Sequence, residues 1–405
     1  MNASRETTDT EWATATVITG DGDALTTARR LAEQFVSGAA ERDAQRRLPL
    51  AELDELAASG LLAITVPRTY GGADVSVRTL TEVFRLLAWA DPNIAQIPQG
   101  HFVYVNVLEE NGSVEQKRFF YREVLAGKRF GNAQAESGRS ALDIHTRLTP
   151  AWDGGFVLSG TKKYATGALA AQWIGVLAKD ADDRQVVAFV PGGSPGVQVI
   201  DDWDGMGQRT TASGSVWLSH VSVPAEHVVP HYRTFERPQV HGALAQLLHA
   251  AIDVGIARAA LDDAGEFVRT RSRPWKDSGA ASAAEEPLVI HQFGEMEIQL
   301  RAAEALLATA ADTVDRARPE PSNGSAAEAS IAVATAKAFG GRTAVEAANA
   351  LFELAGTSST SASLNLNRHW RNARTHSLHD PARWKVQHIG RYALNATRPP
   401  RSGQI

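Results

Sequence analysis

The sequence predicts an α+β fold, mainly helical, built in three consecutive parts. Three observations carry this. Up to about residue 127, apolar residues recur at helical spacing between helix-stopping residues. From Gly131 the texture turns to short β-rich runs separated by Gly, Asp and Asn. From about Gln239 long alanine-rich amphipathic segments take over. The expected parts are a disordered lead-in over 1–23, an N-terminal helical domain over 24–130, a central β domain over 131–236 and a C-terminal helical bundle over 237–405.

Each element has its own signal. Leu25, Ala28, Leu31, Ala32, Phe35 and Ala39 place a helix between Ala24 and about Ala44. Pro49 opens a short helix that Gly60 closes. Leu62–Pro67 reads as an extended crossing, and Gly71-Gly72 as a turn. Helices are expected over Ser76–Ala90, Ile94–Asn111 and Ser113–Ala126, punctuated by Asp91-Pro92 and Asn111-Gly112. The β runs are Phe156–Ser159, Trp173–Ala178, Val186–Val190, Val197–Ile200, Ser215–Leu218 and Val221–Val223. Long helices follow over Gly242–Thr270, Ile290–Arg316 and Ala326–Ala355, which implies an up-and-down bundle. A last helix starts at Pro381 with Asp380 as its N-cap, leaving His376 and His379 on an extended segment before it.

Composition bounds the function. The chain has 405 residues, 43% hydrophobic and 21% charged, so it can bury a large core. A net charge of -5 leaves no footprint for nucleic acid or an anionic membrane. No run of about 18 uninterrupted apolar residues predicts a membrane span, and the cytoplasm is the expected location. With no cysteine, disulfides, thiolate catalysis and Cys-ligated metal are excluded.

Chemistry-bearing residues concentrate near the end, from Arg368 to Pro381. Four of the twelve histidines lie between His369 and His388, among Arg368, Arg371, Arg374, Arg383, Lys385 and Arg391, with Asp380 the only acid. Two readings stand: a basic solvated helix end, or one wall of a site for an anionic cofactor with a proton donor included. His376-x-x-His379-Asp380 lacks a third ligand at metal spacing. No Gly-x-Ser-x-Gly elbow supports a hydrolase. Gly205-Met206-Gly207-Gln208-Arg209-Thr210 lacks the third glycine of a dinucleotide fingerprint and reads as a β-domain loop. His101 lies in an apolar helix, as a core histidine or a site residue. Asn132 and Gln134 carry amides suited to a heteroaromatic edge, or serve as turn residues. Tyr164 and Thr166, two apart on an expected strand, share a face on which a flat cofactor could stack, or simply pack.

These pieces resemble the acyl-CoA dehydrogenase fold over about residues 25–396: an N-terminal helical domain, a β-barrel-like central domain and a C-terminal four-helix bundle. Phe156–Gly167 is similar to that superfamily's flavin hairpin, with Tyr-Ala-Thr-Gly where Trp-x-Thr-Asn is usual. Gln292-Phe293-Gly294 resembles its Gln-Phe-Gly segment, and Leu351–Gly356 its stretch touching the flavin of a neighbouring subunit. The family's Tyr-Glu-Gly-Thr, whose glutamate abstracts a proton in many members, is His379-Asp380-Pro381-Ala382 here. Its Thr-Glu-Pro segment is Gln134-Ala135-Glu136-Ser137. Both departures argue against proton abstraction from a thioester. The string from Arg368 to Pro381 resembles the branch of dibenzothiophene monooxygenase and the SfnB-type sulfur-acquisition oxidoreductases.

The resemblance implies a two-component monooxygenase. A separate reductase supplies reduced FMN, with FAD an alternative, and O2 forms a flavin C4a-hydroperoxide that oxygenates a small, organosulfur substrate. It implies a homotetramer. His379 would hold or protonate the peroxyflavin, and His101 would face the substrate. Thr166 and Asn132 would contact the flavin, beside Gln134, and Tyr164 and Trp203 would line its ring. Arg271 or Arg273 would meet the phosphate, and His376 would stand behind. The competing readings are an FAD-dependent acyl-CoA-type dehydrogenase with Asp380 as base, an N-hydroxylating flavin monooxygenase, and a non-enzymatic flavin-binding paralogue.

Overall fold

The computed structural model describes residues 15–138 and 143–405. Residues 1–14 of the expected lead-in lie outside them. The rest of that lead-in is packed: Ala15 and Ile18 are buried, and Thr16 N–H donates to Ala58 C=O at 2.8 Å.

The N-terminal helices are α1 (Asp21–Val36), α2 (Ala39–Gln45), α3 (Leu50–Ala58), α4 (Val77–Ala90), α5 (Pro92–Gln96), α6 (Gln99–Asn111) and α7 (Val114–Leu125). Ser76 caps α4 through Thr79 N–H, and Ser113 with Gln116 forms a capping box on α7. The helix expected over Ile94–Asn111 divides between α5 and α6, with Pro98 at the junction. Leu62–Pro67 is a correction. It is a 3-10 turn (Leu61–Ala63) and a bend, not a strand. A short apolar run buried on all sides carries no periodicity that separates strand from turn.

The β region comprises β1 (Phe130–Ala133), β2 (Arg147–Pro150), β3 (Phe156–Lys162), β4 (Trp173–Lys179), β5 (Gln185–Pro191), β6 (Val197–Ile200), β7 (Ser215–Val223) and β8 (Val228–Val229). They form one mixed sheet ordered β6-β7-β3-β2-β4-β5-β8, with β1 parallel to β4. The two runs expected at 215–223 are one strand. A register shift opposite Leu158/Gly160, with His220 at φ 52, interrupts the alternation. Gly175 of β4 lets the Tyr104 ring approach, since a Cβ there would lie 2.4 Å from it. That contact pins α6 against the sheet.

The C-terminal helices are α8 (His241–Thr270), α9 (Pro287–Ala317), α10 (Asn323–Ala355), α11 (Asn367–His376) and α12 (Ala382–Asn395). In composition α8 could cross a membrane, yet 83% of its apolar window is buried inside the fold. It packs against α4, α9 and α10 and joins the N-terminal helices to the bundle in one apolar core. His376, expected on an extended segment, ends the helix α11, and His379 lies in the turn that follows. The stripe buried on α11 is His369, Asn372, Ala373 and His376. Its spacing is helical but its side chains are mostly polar, so a search for apolar periodicity passes over it.

Candidate active site

Arg368, His369 and Arg371 of α11 are met by acids from distant parts of the chain, while Arg374 donates to Ser377. Arg371 pairs with Asp43 of α2 and takes Asn365 Oδ1 at 2.9 Å. Arg368 and His369 share Asp263 of α8 at 2.8 and 2.7 Å. Burial alone would raise the Asp263 pKa, but His369 and Arg368 outweigh it and hold the carboxyl at about 2. Arg368, His369 and Arg371 are thus balanced within the fold.

One turn further, α11 delivers His376 into a buried polar cluster. Its Nδ1 lies 2.6 Å from Asp253 Oδ1 on α8, and its Nε2 lies 3.1 Å from both His249 Nδ1 and Gln96 Oε1. A carboxylate can only accept, so Nδ1 of His376 is the donor. His376, expected near the cofactor, is therefore committed to α5 and α8. Burial holds the His249 pKa well below the ordinary value, and neighbouring His379, Lys337 and His376 push the same way.

Asp380 does not cap α12. The N-cap position is Pro381, with no side-chain cap bond. The carboxylate is drawn instead to Lys337 of α10, which also donates to Gln246 Oε1 at 2.5 Å, and to Lys385 of α12 at 2.7 Å. Burial alone would raise its pKa, but Lys337, His379 and Lys385 together hold it far below the carboxylate range. The same crowding brings Lys385 down to about 8: burial and Lys337 lower it, and Asp380 partly restores it. The expected catalytic role of Asp380 is corrected, because an ionised carboxylate clamped between two ammonium groups is a joint between helices rather than a base.

His379 is arranged differently. Its side chain is 45% exposed, with Nδ1 3.5 Å from Asp380 Oδ1. Its other face lies on the His249 ring, centroids 3.9 Å apart at 35°. Burial of the stacked face lowers its pKa, Asp380 opposes this, and Lys337 adds to the lowering. An imidazole with one nitrogen beside an acid and part of its ring exposed can hold or release a proton.

The second wall comes from the β region. β3 ends at Lys162, so Tyr164 and Thr166 do not share a strand face; Tyr164 sits at φ 57 in the following turn. Its ring, 57% exposed, meets Trp203 edge to face at 6.2 Å. Thr166 is buried, bonded through Oγ1 to Ser213 at 2.6 Å, and its carbonyl accepts from Asn132 N–H at 3.0 Å. Asn132 Oδ1 accepts from Tyr104 at 3.1 Å, and the Asn132 Cβ stands over Gly100, where a Cβ would come within 3.0 Å. Gln134 borders the Tyr104 hydroxyl, and its carbonyl takes Lys162 Nζ at 3.1 Å. The Gly205–Thr210 loop joins the two walls. Trp203 Nε1 donates to Gln208 C=O at 2.7 Å, and Gln208 N–H donates to Asn372 Oδ1 on α11 at 2.7 Å. Gln208 Oε1 and Nε2, and Thr210 Oγ1, are buried without a hydrogen-bond partner among the described residues.

One further expectation is corrected. His101 is 1% exposed, and both ring nitrogens are used: Nε2 at 2.8 Å from Leu62 C=O, and Nδ1 accepting from Phe130 N–H at 3.0 Å. Burial lowers its pKa to about 4, so it is a neutral strut between α6 and β1 that faces no substrate. Arg271 and Arg273 are exposed beyond the far end of α8. At about 1.5 Å per residue, Arg271 lies roughly 33 Å along the helix from His249. Within one chain they stand at the opposite end of α8 from His249.

Gln96, Gln208, His249, Asp253 and Lys337 were missed. A signal existed for two: His249 and Asp253, with Gln246, form a polar i, i+3, i+7 line on an otherwise apolar α8.

Three family models match the chain: "Acyl-CoA dehydrogenase, N-terminal domain" at 23–128, "Acyl-CoA dehydrogenase, middle domain" at 130–221 and "Acyl-CoA dehydrogenase, C-terminal domain" at 247–384. A dibenzothiophene monooxygenase of Rhodococcus erythropolis is 35% identical, covering 94% of this chain and 95% of its own. A probable FMNH2-dependent monooxygenase, SfnC, of Pseudomonas putida is 33% identical over 95% and 98%. The crystal structure of FMN-bound TdsC from Paenibacillus sp. A11-2 superposes with a TM-score of 0.90 at 32% identity, covering 94% of this chain and 100% of that one. Family matches running from α1 into α12, with relatives alike over nearly their whole length, make this chain a member of the acyl-CoA dehydrogenase family, in the branch that contains dibenzothiophene monooxygenase.

Proposed function

We propose that the protein is a reduced-FMN-dependent monooxygenase acting on a small organosulfur substrate. The observation that carries this is the contrast between Asp380, locked to Lys337 and Lys385, and the neighbouring His379, open on one face. The position where the family's dehydrogenases keep a carboxylate base has no free carboxylate here. It offers a proton-bearing imidazole instead. The named activities of the dibenzothiophene monooxygenase and SfnC relatives, and the FMN in TdsC, support the same reading.

The residues fit a flat, polar-edged ring. Tyr164 and Trp203 supply aromatic surface, and the buried, unpaired Gln208 amide offers a donor and an acceptor that cost free energy until met. Thr166 and Asn132 would add polar contacts at its edge. When bound, reduced FMN supplies the electrons that activate oxygen. The chain's own work is to exclude water and manage one proton. His379 would hold or deliver it at Nε2, while Nδ1 faces Asp380. The flavin would arrive from a separate reductase by diffusion, and a homotetramer in the cytoplasm is the expected assembly. In such an assembly Arg271 or Arg273 of one copy would serve a neighbour's phosphate site.

The test is titration with FMN and FAD, oxidised and reduced, followed by oxygen uptake with an organosulfur substrate. Binding of reduced FMN and oxygen-dependent product support the reading. Anaerobic reduction of bound flavin by an acyl thioester would overturn it in favour of a dehydrogenase.

A further inference from the structure

We propose that Asp253, His376 and His249 are positioning residues for His379: Asp253 fixes His376, His376 fixes His249, and the His249 ring seats the ring of His379. The inference rests on reading His379 as the functional imidazole.

The chain of contacts is continuous. Asp253 accepts from His376 Nδ1 at 2.6 Å, which fixes both the orientation of that ring and the nitrogen bearing its proton. The remaining nitrogen, Nε2, faces His249 Nδ1 at 3.1 Å, so the plane of His249 is set in turn. Gln96 of α5 stands beside the same Nε2 at 3.1 Å. His249, 2% exposed, then lies under His379 with centroids 3.9 Å apart. His379 follows α11 in a turn and has only the bond to Asp380 on its own side. The His249 face is the ring contact that sets its plane.

A purely structural reason for the cluster is weak. The neighbouring buried positions of α8 are Leu247, Leu248, Ala250, Ala251 and Ile252, and apolar residues at 249 and 253 would close the same core with no desolvation cost. The polar line runs only where α5, α8 and α11 converge beneath His379. It is also reachable from behind. Asp253, Lys337, Gly341, Arg374, Ser377 and Asp380 border a cleft of about 350 Å³ on the α10 side. The charged and titratable groups around His379 are His249 and Asp253 from α8, Lys337 from α10, His376 and Asp380 from α11 and its following turn, and Lys385 from α12.

The test uses the full chain with ring-labelled histidine, and His379→Gln to assign the His379 signal. His249→Leu removes the seat, His249→Phe keeps a ring, and Asp253→Asn loosens His376. The expected result in the flavin-free protein is a displaced, broadened His379 resonance with an altered titration midpoint in His249→Leu and Asp253→Asn, largely restored in His249→Phe. In steady state, with reduced FMN, oxygen and substrate, kcat should fall about 10–100-fold in His249→Leu with KM nearly unchanged, and its pH profile should move. Recovery in His249→Phe follows from ring seating. Unchanged His379 resonances and pH profile in His249→Leu and Asp253→Asn, with only a lowered Tm, would overturn the proposal. If His249→Leu does not fold, His249→Phe and Asp253→Asn decide it through the same resonances. If His379→Gln keeps full activity while those resonances still move, the functional reading of His379 fails and the positioning stands.

Discussion

His101 and His379 are the two histidines that family resemblance marks for chemistry, and they occupy opposite kinds of place. His101 has both nitrogens bonded to backbone groups of its own core. His379 has one nitrogen near a carboxylate, one ring face on another histidine and the rest of the ring open. The difference teaches that spare hydrogen-bonding capacity, rather than residue type, separates a working imidazole from a strut.

The largest effect that tests this contrast is His379→Gln. Product formed per flavin oxidised should fall by roughly 10²–10⁴-fold, while stability stays within about 0.5 kcal/mol of the parent. Next is Lys337→Met, which leaves Asp380 with Lys385 alone and leaves Gln246 Oε1 without its donor. Loss of a buried pair partner should cost about 3–5 kcal/mol in urea unfolding, and the His379 pKa should rise because the ammonium that repels its proton is gone.

Acid should then weaken the fold through its buried histidines. Burial lowers His101 and His231 to about 4 and, with His231 repelling, His241 to about 3. Their folded pKa values lie below the unfolded value, so the unfolded chain binds more protons as pH falls. Stability is full above about pH 6.5 and should decline below it by up to about 1.4 kcal/mol per pH unit for each such histidine. The decline should end near pH 4 for His101 and His231, and nearer pH 3 for His241. Denaturant midpoints measured from pH 7.5 to 4.5 check the slope. His101→Gln should cost about 1–3 kcal/mol by leaving a backbone partner unmatched, with kcat of the folded fraction unchanged. The smallest effect is Tyr164→Ala, expected to weaken flavin binding by about 1 kcal/mol in a fluorescence titration.

Much of the fold could be read along the chain, because local signals settle it. Ser76 and Ser113 announce helix starts, and the long alanine-rich segments can only be bundle helices. Tyr164 and Thr166 could be singled out for the same reason, since they belong to one short motif, although the strand expected to carry them ends at Lys162. The helical wall was not legible. Asp380-Pro381 has the form of a cap, but lysines 43 and 5 residues away draw the carboxylate off. The basic look of Arg368, His369 and Arg371 vanished once Asp43 and Asp263 arrived from α2 and α8. Charge pairing across hundreds of residues leaves no trace in spacing.

The lysine pair at Asp380 also bears on how the chemistries of this family can interconvert. Lengthening Asp380 to glutamate would not create a proton-abstracting base, because Lys337 and Lys385 would keep the longer carboxylate ionised and occupied. Passage toward a dehydrogenase requires both lysines to be lost, and losing either first breaks one of the two buried ion pairs. The clamp thus works as a ratchet: each single step back is selected against on stability alone, whatever it does to activity.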